Sequence, residues 1–296
     1  MPRGRGSLTA LIAAELISSL GSLMSVVALP WFVLETTGSP GRMGVVLAAQ
    51  SAPLLLVGIP SSRLVARIGS RRALMLCDAL WAPATAAIPL LQLAGALSFP
   101  LLVALAFLAG VPWAAHSGSQ SAVLPELLGD DVAGVARANA LLQTLSRLAY
   151  FVGPALGGVL LAAVGASTVL LIDAGSFLVS LALVALFVRP SAIGAEPGRG
   201  EAGGWRFIRH DAWMRPVVTA QALSQGAFMA MGAAIPVLAF ATYDRDERLA
   251  GLLLGSGAAA RWPGACWPTG WSARATRTGS GPPPGRSRRC RCGRWR

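Results

Sequence analysis

Ionisable side chains stand within long apolar stretches of this sequence. Glu15, Asp78, Arg147 and Asp173 each lie among mostly apolar neighbours along the chain. A charged group is costly in an environment that contains little water, so such groups tend to be kept where they bind ions, protons or substrates, or pair with one another. We therefore take Glu15, Arg147 and Asp173 as candidates for a substrate or proton pathway.

Two of these candidates are predicted at similar depth in their helices. Glu15 and Arg147 both lie roughly 10–15 Å inside one end, at about 1.5 Å per residue. They could therefore pair, and a structural ion pair and a proton relay are both open. Asp173 lies nearer the opposite end, where water could solvate it. His116 and Gln120 are four residues apart and share one helix face, so they could line a cavity, or His116 could simply be hydrated.

Motifs for enzymatic chemistry are missing from the sequence. It contains no P-loop, no His-Glu-x-x-His pattern and no Cys-x-x-Cys pair. Cys290 and Cys292 form a Cys-x-Cys pair with no histidine nearby, which does not match the spacing of zinc ligands. We therefore expect no enzyme activity, no catalytic residue, no cofactor, no bound metal and no ATP-driven transport.

The composition places the candidate residues in a membrane. Of the 296 residues, 54% are hydrophobic and only 13% are charged, and the mean hydropathy is +0.59. A soluble domain is about one quarter charged residues, so this chain has too few to cover a surface that faces water. These values exclude an ordinary soluble enzyme, a disordered protein and a disulfide scaffold. They predict an all-α, polytopic protein of the lipid bilayer.

Seven apolar stretches are long enough to cross a bilayer, which takes about 20 residues. An eighth begins near Leu249 and lasts only to Ala260. The seven predicted spans are 9–34, 43–61, 73–95, 99–121, 139–164, 167–188 and 216–242.

Arginines are concentrated in alternate loops between these spans. Four lie between spans two and three and five follow span six, whereas the loops at 95–99 and 164–167 carry no charge. By the positive-inside rule, the amino terminus and the linker at 189–215 are cytoplasmic. The sequence thus predicts a multi-pass protein of the cell membrane whose first six spans, within residues 1–188, form one unit.

The final segment, 261–296, differs in kind from the rest of the chain. It holds nine of the 25 arginines and no acidic residue, and it has no apolar periodicity. Such a mixture is typical of GC-rich DNA read out of frame, which predicts a frameshifted or disordered tail. The alternative is an arginine arm that binds RNA on a membrane anchor, although we expect no nucleic-acid partner.

The loop between spans two and three resembles the loop signature of the major facilitator superfamily, Gly-x-Leu-Ala-Asp-Arg-x-Gly-Arg-Arg. The sequence has serine in place of the first glycine and alanine, Ala66, in place of the aspartate. The resemblance implies a loop that controls conformational change, and the nearby Asp78 is close enough to contact its arginines. The loop residues in question are Ser62, Leu64, Arg67, Gly69, Arg71 and Arg72.

A second motif lies in span five. The residues Gly153, Pro154, Gly157 and Gly158 are similar to the Gly-Pro-x-x-Gly-Gly motif of proton-coupled exporters in the same superfamily. Small residues four apart allow close helix contact, and proline removes a backbone hydrogen bond and bends the helix. A generic packing seam between helices is the alternative interpretation.

Three further segments resemble bacterial exporters of the siderophore and macrolide efflux type; they are 31–40, 124–127 and 138–141. The resemblance implies an amino-terminal bundle of two inverted three-helix repeats, followed by one or two helices of a second bundle within 216–260. It also implies efflux of a small, partly hydrophobic compound coupled to protons. Because relatives have twelve spans, we expect a truncated chain that does not transport alone and works, if at all, as a homodimer. A non-transporting membrane scaffold is the alternative.

Overall fold

A computed structural model describes residues 2–129, 131–188, 214–242 and 252–254. Most of the predicted linker at 189–215, most of the predicted eighth span and the whole of the segment 261–296 lie outside these residues. The side chains of 2–5, 55–64 and 66, and several in 214–242, are also outside the description.

Helices account for almost all of the described chain, and no strand occurs within these ranges. Within the described residues, five stretches are long and apolar enough to cross a membrane; they are Gly6–Thr37, Ser70–Leu93, Phe99–Leu128, Val132–Val164 and Ala166–Phe187. The prediction of an all-α, polytopic membrane protein is confirmed. The helices are α1 (Pro2–Thr37), α2 (Pro40–Ile68), α3 (Ser70–Leu93), α4 (Phe99–Gly110), α5 (Pro112–Leu128), α6 (Val132–Val164), α7 (Ala166–Phe187) and α8 (Met214–Thr242).

The fourth predicted span is divided in two. Helix α4 ends at Gly110 and α5 begins at Pro112, and the amide of Val111 bonds to the carbonyl of Leu108 in a tighter turn. Proline has no N–H to donate to the preceding turn, so the regular ladder of hydrogen bonds is interrupted at this point. The two helices together still form one stretch of 30 residues, from Phe99 to Leu128.

Single glycines make two of the helix connections. Gly69 joins α2 to α3 with φ +83°, and Gly165 joins α6 to α7 with φ +78°. Side chains with a Cβ rarely adopt this backbone conformation. Such short connections keep consecutive helices next to each other at the ends they share.

The packing relates two triplets of spans. Helix α1 packs on α6 and α7, and the divided fourth span, α4–α5, packs on α2 and α3. Helix α3 also packs on α7. Exchanging the first triplet (α1, α2, α3) for the second (α4–α5, α6, α7) reproduces this set of contacts. This exchange is the pairing expected of two related three-helix repeats.

Helix α6 contacts α1 through the Gly-Pro motif. A Cβ built on Gly157 would lie 2.9 Å from Cα of Met24, and one on Gly153 would lie 2.5 Å from Cβ of Leu23. Pro154 and Gly158 are buried in the same segment. The small residues therefore let the two backbones approach closely, as expected for glycines four apart.

We predict that Gly157→Ala destabilises the folded chain by about 1–3 kcal/mol, because the added methyl group meets α1 backbone that cannot move aside. The measurement is the thermal unfolding of the purified chain in detergent, followed by loss of the monomer peak. The control is Gly175→Ala in α7, where a Cβ meets nothing within 4 Å. Equal melting temperatures for the two variants would contradict this account of the α1–α6 contact.

Candidate functional site

Glu15 is buried in the middle of the helix bundle. Helix α1 carries it between the buried residues Leu11 and Ser18, and only 6% of Glu15 is exposed. The amide Nε2 of Gln120 donates a hydrogen bond of 2.8 Å to Oε2 of Glu15. Nε2 of His116 lies 3.6 Å from Oε1 of the same carboxyl group. One helix face of α5 thus supplies both polar partners of a buried carboxyl group.

An aromatic wall supports the imidazole of His116. The ring centroids of Trp81 and His116 are 5.0 Å apart at an angle of 54°, and Trp81 stacks on Phe177 at 5.0 Å and 26°. The indole N–H of Trp81 donates to the carbonyl of Ala109 at 2.6 Å. Helices α3 and α7 therefore hold the ring of His116 close to Glu15.

Arg147 does not form the ion pair with Glu15 that the sequence allowed. Its side chain is exposed, while Ala149, Gly153 and Gly157 form the buried stripe of α6. At about 100° per residue, a position two residues before Ala149 lies on roughly the opposite side of the helix. Packing of the small residues against α1 therefore turns Arg147 away from Glu15.

Asp173 is buried, whereas the sequence suggested that water could solvate it. It is 3% exposed and accepts a hydrogen bond of 2.6 Å from Oγ of Ser25 in α1. Ser176 donates to the backbone carbonyl of Asp173 at 2.7 Å. A Cβ on Gly21 would overlap Ser176, so the missing side chain lets α1 and α7 close around the carboxyl group. The hydroxyl group of Ser25 therefore gives Asp173 the hydrogen bond that water was expected to supply.

Asp78 faces α7 and not the arginines of the loop. Ser180 donates a hydrogen bond of 2.7 Å to Oδ2 of Asp78, and Oδ1 has no hydrogen-bond partner. Arg71 instead donates from Nη2 to the carbonyl of Ala185 at 2.7 Å, and Arg72 is exposed. The contact between Asp78 and these arginines is therefore absent, since two helical turns, about 10 Å, separate Arg71 from Asp78.

The loop motif joins the ends of three helices. Ser70, the first residue of α3, donates a hydrogen bond to the carboxyl group of Glu126 at the end of α5. Arg71 binds a carbonyl in the last turn of α7, where cations are favoured by the helix dipole. Arg67 is exposed. The side chains of Ser62 and Leu64 lie outside the description.

A small polar cleft between α5 and α6 adjoins Glu15. Its volume is about 30 Å³. Gln120 lines the cleft and also donates a hydrogen bond to the carboxyl group of Glu15. The residues on the α6 side of this cleft were not among those predicted from the sequence. The sequence does contain a signal for these residues, which is a polar stripe with spacings of four and three residues in an otherwise apolar span. The stripe consists of Asn139, Gln143 and Ser146.

Comparisons with known proteins agree with this architecture. A family profile described as "transmembrane secretion effector" matches residues 2–268. The chain is 29% identical over 257 residues to the multidrug efflux pump Tap of Mycolicibacterium fortuitum, covering 82% of this chain and 61% of that protein. It is 33% identical over 184 residues to the pump of the same name in Mycobacterium tuberculosis (strain ATCC 25618 / H37Rv), covering 61% of this chain and 44% of that protein.

The chain thus spans between 44% and 61% of the length of these curated relatives. The profile covers all the helices described above, so the relationship extends over the whole bundle and not over one motif. The resemblance to an efflux branch of the major facilitator superfamily is confirmed. The chain belongs to the transmembrane secretion effector family of that superfamily, a family of multi-pass membrane transporters and not of enzymes.

Proposed function

We propose that residues 1–188 form the amino-terminal bundle of a proton-coupled exporter of small, partly hydrophobic compounds of the drug type. The observation that carries the proposal is the buried carboxyl group of Glu15. It is held by Gln120 and His116, with no arginine paired to it in the described part of the chain. The names of the relatives, multidrug efflux pumps, support the substrate class.

Proton binding at Glu15 changes the contact between α1 and α5. As a carboxylate, Glu15 accepts the hydrogen bond from Gln120 and attracts a protonated His116. When it is neutral, the attraction to the imidazolium is lost. A proton shifts a conformational equilibrium only when it binds the two states with different affinity. We propose that the contact between α1 and α5 differs between the two states, so that Glu15 meets this condition.

The cleft between α5 and α6 offers a route from Glu15 to a substrate. Gln120 contacts the carboxyl group and also lines the cleft, so a substrate that binds against Gln120 would sense the charge of Glu15. In transporters of this architecture, substrate sites lie near the midplane between two bundles that rock against each other. We propose that a second bundle completes the pathway and that a chain that stays monomeric binds substrate without transporting it. A second copy of the chain could provide that bundle.

We further propose that the amino terminus is cytoplasmic, with residues 189–215 as a cytoplasmic linker and 216–260 as the start of a second bundle. Arginines are concentrated in the connections on one side of the bundle. The loop at 94–98, on the opposite side, carries no charge. Lipid is the immediate environment of the spans.

We predict that Glu15→Gln removes the pH dependence of drug binding. If a proton and a cationic drug are both attracted by the same carboxylate, each must weaken the binding of the other by the same factor. We expect the wild-type chain to bind ethidium about tenfold more weakly in mildly acidic than in mildly alkaline buffer, within the range typical of coupled sites. The Glu15→Gln variant should bind equally in both, as measured by fluorescence anisotropy on the full chain in nanodiscs.

The matched control is Glu35→Gln, the same substitution twenty residues further along α1, where Glu35 accepts a hydrogen bond from the indole of Trp31. It should retain the wild-type pH dependence. An unchanged pH dependence in Glu15→Gln would overturn the role of Glu15. Absence of ethidium binding to the wild-type chain at both pH values would favour a non-transporting scaffold.

We predict that cysteines placed on opposite sides of the bundle react differently in intact cells. Ala96→Cys, in the loop after α3, should react with a membrane-impermeant maleimide added outside. Val132→Cys, at the start of α6 and 79% exposed, should react only after permeabilisation. Both variants are made in a chain in which Cys266, Cys290 and Cys292 are replaced by serine. That chain, whose remaining Cys77 is buried, gives the background. The reverse pattern would place the amino terminus outside.

A further inference from the structure

Asp78 is a second buried carboxyl group close to the site, and the proposed function does not use it. It is 1% exposed, and its Oδ2 accepts one hydrogen bond, from Ser180. Its Oδ1 is buried without a hydrogen-bond partner. A buried carboxyl oxygen without a partner is costly and calls for an explanation beyond packing.

Helix α3 brings Asp78 to the same side as the aromatic wall. Asp78 and Trp81 are three residues apart and share a helix face, and Trp81 packs against the ring of His116. Asp78 interacts electrostatically with His116 and with Glu15. The imidazole of His116 therefore lies within the fields of two carboxyl groups, one from α1 and one from α3.

The other charged groups on the surrounding helices have their own partners or lie elsewhere. Arg71 binds the carbonyl of Ala185, Glu126 accepts from Ser70 and Asp173 accepts from Ser25. On α2, Arg67 is exposed and Arg42 lies over the ring of Phe99, and the described α4 has no titratable side chain. Cys77, beside Asp78, donates to the carbonyl of Pro112.

We propose that Asp78 is a positioning residue that shares one proton-binding unit with His116 and Glu15. With a neutral imidazole and two carboxylates, the three side chains carry two negative charges. Uptake of one proton from water forms one new N–H or O–H bond and leaves one negative charge. In this proposal the three groups share their protons and titrate as one unit, as closely coupled sites do.

The unit links proton uptake to the packing of α3 on α7. Asp78 binds Ser180 of α7, and Arg71 of the same helix binds Ala185 near the end of α7. A change of charge at Asp78 alters its hydrogen bond with Ser180. Arg71, which makes the other attachment, lies seven residues before Asp78 on α3. The charge state of Glu15 would thereby reach the loop between α2 and α3. This inference rests on the proposed role of Glu15.

Trp81 provides a reporter for the test because a protonated imidazole quenches the fluorescence of an indole packed against it. The full chain in nanodiscs is titrated with acid, and the signal of Trp81 is the difference from a Trp81→Phe chain, since the protein has nine tryptophans. We predict that Asp78→Asn moves the midpoint to lower pH by about one unit, the effect of losing one nearby negative charge. Asp78→Glu should restore the wild-type midpoint.

Two variants keep the test decisive if Asp78→Asn fails to fold. Asp78→Ser also removes the charge and keeps a polar partner for Ser180, so it should shift the midpoint in the same way. Glu35→Gln should leave the midpoint unchanged. A wild-type midpoint in folded chains that carry Asp78→Asn or Asp78→Ser would overturn the inference, even if Glu15→Gln shifts it. A shift with Asp78→Asn but none with Glu15→Gln would contradict the proposed function instead.

Discussion

Polar groups inside a bilayer must find their partners within the protein, and most of the bundle's specific contacts follow from this constraint. In the described helices, each buried carboxyl group is held by a side chain from another helix. Glu15 of α1 binds Gln120 of α5, Asp78 of α3 binds Ser180 of α7, and Asp173 of α7 binds Ser25 of α1. Apolar packing alone would leave the rotation of each helix weakly specified, because lipid tails are as apolar as leucine side chains. The hydrogen bonds between helices fix that rotation and connect α1, α3, α5 and α7.

Small residues make these contacts possible because the polar side chains involved are short. A serine reaches an aspartate across a helix interface only when the backbones approach closely. Gly21 removes the atom that would otherwise overlap Ser176 beside Asp173, and Gly157 does the same at Met24. Gly110 lies against the backbone of Gln50 just before Pro112 divides the fourth span. The glycines that resemble an exporter motif thus have a direct packing role in this chain, and they also determine that Arg147 faces away from α1.

The two regions that we propose to be functional are connected through α3 and α7. One region is the Glu15 cluster with its polar cleft, and the other is the loop that begins at Gly69. Asp78 and Arg71 attach α3 to α7 at two points, one near each region. A charge change in the first region therefore has a short physical route to the second. The sequence has serine in place of the first glycine of the superfamily signature and Ala66 in place of its aspartate. The observed attachments of the loop to other helices are made by Ser70 and Arg71.

The sequence by itself determined the helical class, five of the seven predicted spans and the family, because apolar length, charge distribution and short motifs are local properties. It also placed His116 and Gln120 on one helix face, since that depends only on the helical repeat. The partners of the ionisable groups were decided by tertiary structure alone. Glu15 binds α5 and not Arg147, Asp78 faces Ser180 and not Arg71, and Asp173 is enclosed by α1. The depth of a residue can be counted along its helix, but the direction in which it points depends on how that helix is rotated by its neighbours.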